Sequence, residues 1–459
     1  MPNTTIKIEG ASFILTLGDD RRIISDGSIL IKGNRISKVG KATDMLEIGA
    51  DLVIDAQEMV ASPGMCNGHI HLSYAHANRG IFPDDLGAKY LPSVFKLQKE
   101  LTEKEEYLVT LLAITELLKY GTTTMLDPGS TKYLDACLQA YQDSGARVLV
   151  GALVNDVPNP LDIPIRSTQE SIHDMEQAIR TLDGKLSGRL SAWTMPFAAN
   201  MASPELLKAA KRLADEYNTG LTLHHNFNPT TTKVFEQETG YRPTAYLREM
   251  GILGPNVLLA HALGMEDEDL KILAEFDTKI VMCPTAALKM GLGMDRIGTL
   301  PEMLDMGLTV GLGTDAGNNS NLVETHRSMY LVAVIYKDAR SDVGMIPAET
   351  ALEMATIDGA HALGLGADIG SIEPGKKADI VLYDTRRPEW RTLFNPVNSL
   401  VYSADGRSVD TVIVDGRVVV RDHQPTFVEE YNLIQEVQAL GEDLLERTKT
   451  VMPPRWLVV

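Results

Sequence analysis

Between Met59 and Leu363 the chain alternates eight short apolar runs with longer stretches of helical periodicity, a rhythm that few folds accept. The runs are Met59–Ala61, Thr122–Leu126, Arg147–Val154, Leu190–Met195, Gly220–His224, Val257–His261, Lys279–Cys283 and Leu308–Gly313. Between and after them lie Thr102–Lys119, Lys132–Ser144, Thr168–Leu182, Pro204–Tyr217, Thr244–Met250, Asp267–Glu275, Asn321–Ala339 and Ala348–Leu363. A strand that is apolar on both faces must be covered on both, which is the situation of a parallel sheet wrapped in helices. Eight such units predict a (β/α)8 TIM barrel over 59–363. A doubly wound open sheet is the competing architecture, but the chain carries neither GxGxxG nor a P-loop to support a nucleotide-binding version. Thr102 followed by Glu105 reads as a capping box, and Leu108, Leu111, Leu112, Ile114, Leu117 and Leu118 mark the buried stripe of the helix it starts.

Either side of this region the pattern is β. Residues 1–58 hold short alternating runs around turns such as Lys32-Gly33-Asn34, and 364–425 hold Ala378–Tyr383, Ser399–Tyr402, Val409–Val414 and Val418–Val420, the last two joined by Asp415-Gly416. Neither half has enough strands for a sheet of its own. The expected fold is therefore an α/β protein with the barrel inserted into a small discontinuous β-sandwich. A closing helix and an apolar tail, Pro453–Val459, occupy 426–459.

A barrel enzyme carries its chemistry at the C-terminal ends of its strands. His69 and His71 follow the first run in MVASPGMCNGHIH, and residues i and i+2 of an extended chain share a face. His224 and His225 end the fifth run, His261 ends the sixth, and Asp315 follows the eighth. His225 faces away from His224 and is expected to be structural. Neutral imidazoles with one carboxylate suit zinc, iron or cobalt and leave a position open for water. Such an ion lowers the pKa of water from 15.7 to about 7. Asp315 is the natural proton shuttle and His261 the natural group to orient the attacking water. The fourth run ends without a lysine, so a bridging modified lysine is not available and one ion is expected rather than two.

Several segments resemble the amidohydrolase superfamily, in the branch of triazine hydrolases and S-adenosylhomocysteine deaminases. They are SPGMCNGHIHL at 62–72, RG followed by DDL at 79–86, LLKYGTTTMLD at 117–127, LLAHALGMEDEDL at 258–270, CPTAALKMGLG at 283–293, GLGTDAG at 311–317 and GSIEPGKKADIVLYD at 370–384. The resemblance spans essentially the whole chain. It implies that His69, His71, His224 and Asp315 bind one divalent ion per chain, zinc first, with iron, cobalt and manganese as alternatives. It also implies that His261 hydrogen-bonds the attacking water and that the protein forms a homo-oligomer.

The sequence departs from that pattern where it matters. The branch usually carries a glutamate three residues after the strand-5 histidine, where this chain has Phe227, or Asn228 if His225 were the ligand. Met282-Cys283-Pro284 stands where His-Cys-Pro is common, and Ala286-Ala287 where Ser-Asn is common. An unpartnered buried polar group costs about 1–3 kcal/mol, so fewer polar groups in the site imply a substrate with fewer polar handles. The expected activity is hydrolysis of an amide, urea, carbamate or thiocarbamate bond in a small, fairly apolar substrate, in the manner of the phenylurea and molinate hydrolases of the branch. The alternative is hydrolytic deamination of an aminated heterocycle such as a triazine, purine or pterin. Expected substrate contacts are His76, Phe227, Met282, Met290 and Asn318, and Asn318 and Asn319 follow Asp315 closely enough to orient it.

A net charge of −19 argues against nucleic acid or an anionic membrane surface as partner and leaves a small-molecule substrate. The three cysteines, Cys66, Cys137 and Cys283, form no CxxC and fit a reducing compartment. With no signal peptide or membrane-length apolar run visible, a cytoplasmic enzyme is expected.

Overall fold

The computed structural model describes residues 4–129, 132–159, 161, 163–451 and 456. Eight parallel strands form a barrel: β1 (Met65–Asn67), β2 (Thr122–Leu126), β3 (Arg147–Val150), β4 (Leu190–Ala192), β5 (Leu221–His225), β6 (Val257–His261), β7 (Lys279–Met282) and β8 (Val310–Leu312). Hydrogen-bonded neighbours run in sequence order from β1 to β4 and from β5 to β8. The two arcs close through a bridge between Thr194 and Leu221 and through Gly68 N–H donating to Leu312 O at 2.8 Å. All side chains of β2 and β6 are buried, as a sheet covered by helices requires. The capping box forms as its spacing demands: Thr102 Oγ1 accepts from Glu105 N–H, and the Glu105 carboxylate accepts from Thr102 N–H at 2.7 Å.

The strands at the two ends of the chain join one nine-stranded sheet. Thr5–Leu15 pairs with Ile23–Lys32, and Ile380–Asp384 pairs with Val409–Val414. This sheet encloses its own core, including Ile8, Ile14, Ile29, Ile31, Ile380 and Ile413, distinct from the core between barrel and helices.

Three expectations from the sequence are corrected. Met59–Ala61 is not the first barrel strand. It lies in Met59–Pro63, between Thr5–Leu15 and Ile380–Asp384 in the sandwich sheet, and β1 begins only after Gly64. Gly64 is required at this junction because a Cβ there would lie 2.1 Å from Thr123 Oγ1 on β2. The runs Arg147–Val154 and Leu190–Met195 each break, and their distal pieces, Leu153–Val154 and Met195–Pro196, pair separately. Ser399–Tyr402 is helical, because the Asn395 side chain accepts from Val397 and Asn398 N–H and Pro396 starts a turn that continues through it.

The final helix, Glu430–Thr448, packs on Glu103–Lys119 and on the turn Ala75–Ala77. The tail expected at 453–459 lies outside the described residues apart from Trp456, which is exposed. Among the described residues no helix is long and apolar enough to cross a membrane.

Barrel and sandwich are joined by a buried ion pair. Arg147, the first residue of β3, donates to the Asp379 carboxylate at 2.9 and 3.0 Å and to Asp415 at 3.3 Å.

Candidate metal centre

The segment after β1 is stitched into its neighbours. Ile70 N–H donates to Leu126 O, Thr314 and Asp315 N–H both donate to His69 O, and Asn67 Nδ2 donates to Thr314 Oγ1. This fixes His69 and His71 beside Asp315. His224, near the end of β5, has its backbone N–H on Phe197 O and its Nδ1 2.7 Å from the same oxygen. That bond makes Nδ1 the donor and leaves the Nε2 lone pair facing inward. His261 and Asp315 adopt left-handed backbone with φ of 78° and 61°. Non-glycine residues there cost about 1–3 kcal/mol each and persist only where neighbours over-determine them. For Asp315 the neighbour is His69 O; for His261 it is the pair of bonds from Ala262 and Leu263 N–H to His225 and Asn226 O.

The result is one cluster. The His69 ring centroid lies 5.0 Å from that of His71, 4.8 Å from His224 and 5.0 Å from His261. The Nε2 atoms of His69 and His71 are 3.8 and 3.7 Å from Asp315 Oδ1. The Nε2 atoms of His71 and His224 face each other at 3.3 Å. Two sets of ligand atoms, from His69, His224 and His261 and from His69, His71 and Asp315, each lie within 4.8 Å of one another. Among the described residues, both ring nitrogens of His69 and Nε2 of His261 are buried without a hydrogen-bond partner. Buried polar atoms are rarely left so, and inward lone pairs around an acid are what a cation requires; the donor set therefore fits a divalent metal ion.

The electrostatics agree. Burial, reinforced by the neighbouring imidazoles, pushes His69, His71 and His261 well below the ordinary histidine range. Burial takes His224 down to about 4 against the pull of the Phe197 carbonyl. These rings are neutral near pH 7 and available as ligands. Burial raises the Asp315 carboxyl to about 6, opposed by hydrogen bonds from Asn319 Nδ2 and Ala316 N–H.

The cluster forms the floor of a cavity of about 550 Å³. Phe197 stacks on His224 with centroids 4.5 Å apart, and Phe227 meets His261 edge-on at 4.8 Å. Phe227 and Met290 line the cavity, and Asp315 is the one carboxylate among the described lining residues.

Three expected substrate contacts do not line it. His76 turns behind the Asp315 loop: its Nε2 is 2.9 Å from the Glu116 carboxylate, which also accepts from Arg79. Met282 is buried in the core between barrel and helices. Asn318 points away and donates to Asn319 Oδ1, so that Asn319, which lines the cavity, is the residue that holds Asp315. His225 faces out of the cluster and its Nε2 meets Thr244 Oγ1 at 3.0 Å. Sequence reasoning missed Phe197 and Tyr74. Phe197 stands beyond β4 with no motif around it, and Tyr74 sits three residues past His71, where proximity to the ligands was the one available signal.

Comparison with known proteins places this geometry. A sequence model described as the Amidohydrolase family matches residues 60–419. A 5'-deoxyadenosine deaminase of Methanothermobacter thermautotrophicus is 32% identical over 447 residues, 97% of this chain and 100% of the relative. A 5-methylthioadenosine/S-adenosylhomocysteine deaminase of Thermoanaerobacter pseudethanolicus is 29% identical over 436 residues, 95% of this chain and 98% of the relative. The crystal structure of atrazine chlorohydrolase TrzN from Arthrobacter aurescens TC1, complexed with zinc, superposes with a TM-score of 0.88 at 25% identity, covering 95% of this chain and 100% of that one. With a family match over most of its length and a metal-ready cluster at the mouth of its barrel, the chain belongs to the amidohydrolase family and is a metal-dependent hydrolase.

Proposed function

We propose that this enzyme uses an activated water to break a C–N bond at an sp² carbon, and that its substrate is a small aminated heterocycle bearing an apolar group. The observation that carries the reading is the convergence of four imidazoles and one carboxylate on the floor of an aromatic-walled cavity. The two deaminases matched over nearly their whole length support a heterocycle ahead of the amide, urea, carbamate or thiocarbamate expected first from the sequence. One observation favours that second class. Phe227 puts a ring edge against His261 where the resembled branch has an acid, which suits a leaving group that needs no ring protonation.

In this proposal His69, His71, His224 and Asp315 hold one divalent ion per chain, zinc first, with iron, cobalt and manganese as alternatives. Such an ion, when bound, supplies Lewis acidity and brings the pKa of water from 15.7 down to about 7. His261, whose Nε2 has no hydrogen-bond partner among the described residues, orients the attacking water. Asp315 takes the proton of that water and returns it to the departing nitrogen. Asn319 and the Ala316 N–H keep the carboxylate aimed during both transfers. Phe197, Phe227 and Met290 exclude bulk water and present apolar surface to the substrate. Action in the cytoplasm belongs to the same proposal and is supported by three buried free cysteines. So does assembly as a homo-oligomer, supported by exposed Tyr431 and Ile434 on the final helix.

Metal analysis with a substrate panel tests the reading. The expected result is about one zinc per chain and ammonia release from aminated triazines, purines or pterins. Turnover confined to phenylureas or thiocarbamates refutes the heterocycle and establishes the second class. Activity that survives complete removal of metal refutes both.

A further inference from the structure

The cavity contains several polar side chains, but the structure spends most of them internally. Asn226 Nδ2 meets Met265 Sδ at 2.9 Å. Asn228 Oδ1 caps the helix Pro229–Thr239 by accepting from Thr231 N–H, and the hydroxyls of Thr231 and Thr232 donate to Asn228 O. The Tyr90 hydroxyl donates to Asn318 O. Asn319 Nδ2 is committed to Asp315. Asn200 and Thr230 are exposed at the rim.

Tyr74 differs. It lines the cavity, is 2% exposed, and lies against the cluster with its ring centroid 5.9 Å from that of His71. Phe95 packs against it with ring centroids 5.9 Å apart. Among the described residues its hydroxyl makes no hydrogen bond, and its oxygen is not sealed off from the cavity that the ring lines. A buried phenol normally finds a partner. Here the missing partner belongs on the cavity side, next to the acid that handles the proton.

We propose that the Tyr74 hydroxyl donates a hydrogen bond to an acceptor atom of the substrate beside the carbon under attack. The proposal rests on the functional reading above and deepens it. A ring nitrogen of an aminated heterocycle is the acceptor in the first substrate class, and the carbonyl oxygen in the second. A phenol, with an ordinary pKa of about 10, is a neutral donor near pH 7. The hydroxyl polarises the reacting carbon, a task that Phe227, which stands where the branch has its acid, cannot perform. Tyr74 thus selects substrates with an acceptor at that position, because an analogue lacking one leaves a buried hydroxyl unpaired.

The test is Tyr74→Phe in the zinc-loaded enzyme, with binding of 4-methylquinazoline and 1-methylnaphthalene, neither of which carries an amine to be released, measured by calorimetry. The two probes match in shape and differ in ring nitrogens. Wild type is expected to prefer the quinazoline, and the variant to lose about tenfold of that preference with unchanged zinc content and melting temperature. A preference that stays within threefold of wild type, or a variant that loses zinc along with affinity, overturns the proposal. Binding is read without turnover, so failure of every heterocycle as a substrate would count against the deaminase reading and not against Tyr74.

Discussion

Removing the guanidinium that joins barrel to sandwich should weaken the fold without touching the chemistry. Arg147 and Asp379 are 4% and 2% exposed, so neither charge is solvated once its partner is gone. In Arg147→Met, among the described residues, Asp379 Oδ2 loses its Nε–H donor, Oδ1 retains only the Asp415 N–H at 2.7 Å, and Asp415 retains Asn34 at 3.2 Å and Lys377 Nζ at 3.8 Å. Stranding a buried charge in this way costs about 3–5 kcal/mol. At roughly 2.1 cal/mol/K per residue, unfolding 459 residues carries an entropy near 1 kcal/mol/K, so the melting temperature should fall by about 3–5 °C. The double variant Arg147→Met/Asp379→Leu removes both charges and should recover at least half of that loss, because a packed apolar pair often matches a buried ion pair. Differential scanning calorimetry on metal-loaded protein measures both. Because Arg147 starts β3, at the barrel end away from the histidines, kcat at 25 °C should be unchanged. A single variant melting within 1 °C of wild type, or a double variant less stable than the single, would refute the reasoning.

Other perturbations address the site and its surroundings. His69→Ala should bring metal content measured by plasma mass spectrometry from about one ion per chain to below about 0.1, with hydrolysis lost; full metal loading in that variant would remove His69 from the ligand set. Asn319→Ala, which frees Asp315 Oδ2, should lower kcat about tenfold while zinc content holds, the equivalent of one hydrogen bond of about 1.4 kcal/mol. Glu106 is buried in the core, and burial lifts its carboxyl from 4.5 to about 7 against the pull of Lys132 and Tyr133 N–H. The unfolded chain therefore releases this proton at lower pH than the folded one, and the stability tied to it is lost as pH rises from about 4.5 to about 7. Relative to Glu106→Gln, wild type should lose up to about 3 kcal/mol across that window in urea unfolding; a constant difference between the two proteins would show that Glu106 does not titrate as described.

What could be read from the sequence follows how local each determinant is. His69, His71, His224, His261 and Asp315 were legible because each stands at a strand end and the barrel brings strand ends together. An apolar run such as Met59–Ala61 carries no mark of which sheet it joins, so its sequence points equally to barrel and sandwich. That choice depends on Ile380–Asp384, more than three hundred residues away in the chain. Nothing near His76 in sequence reveals that Glu116 draws it behind the Asp315 loop and out of the cavity. The helical turn at Ser399–Ser403 was masked by β-branched and aromatic composition, although Asn395-Pro396 just before it is a helix-start signal. The role of Asn319 over Asn318 turns on the direction of one loop residue, which spacing does not encode.

The junction at Gly64 has a consequence for how the molecule comes into being. Met59–Pro63 ends in the sandwich and Met65–Asn67 begins the barrel, so a single residue separates the sandwich from the rail that carries the first two histidines. The outer neighbour of that sandwich strand, Ile380–Asp384, leaves the ribosome more than three hundred residues later. The catalytic mouth therefore waits for the far end of the message: a nascent or truncated chain ending before residue 380 has its HIH segment hanging from a half-paired strand. Cutting the chain at 59 and 363 would remove both sheet neighbours of Met59–Pro63, the strand from which the HIH segment extends.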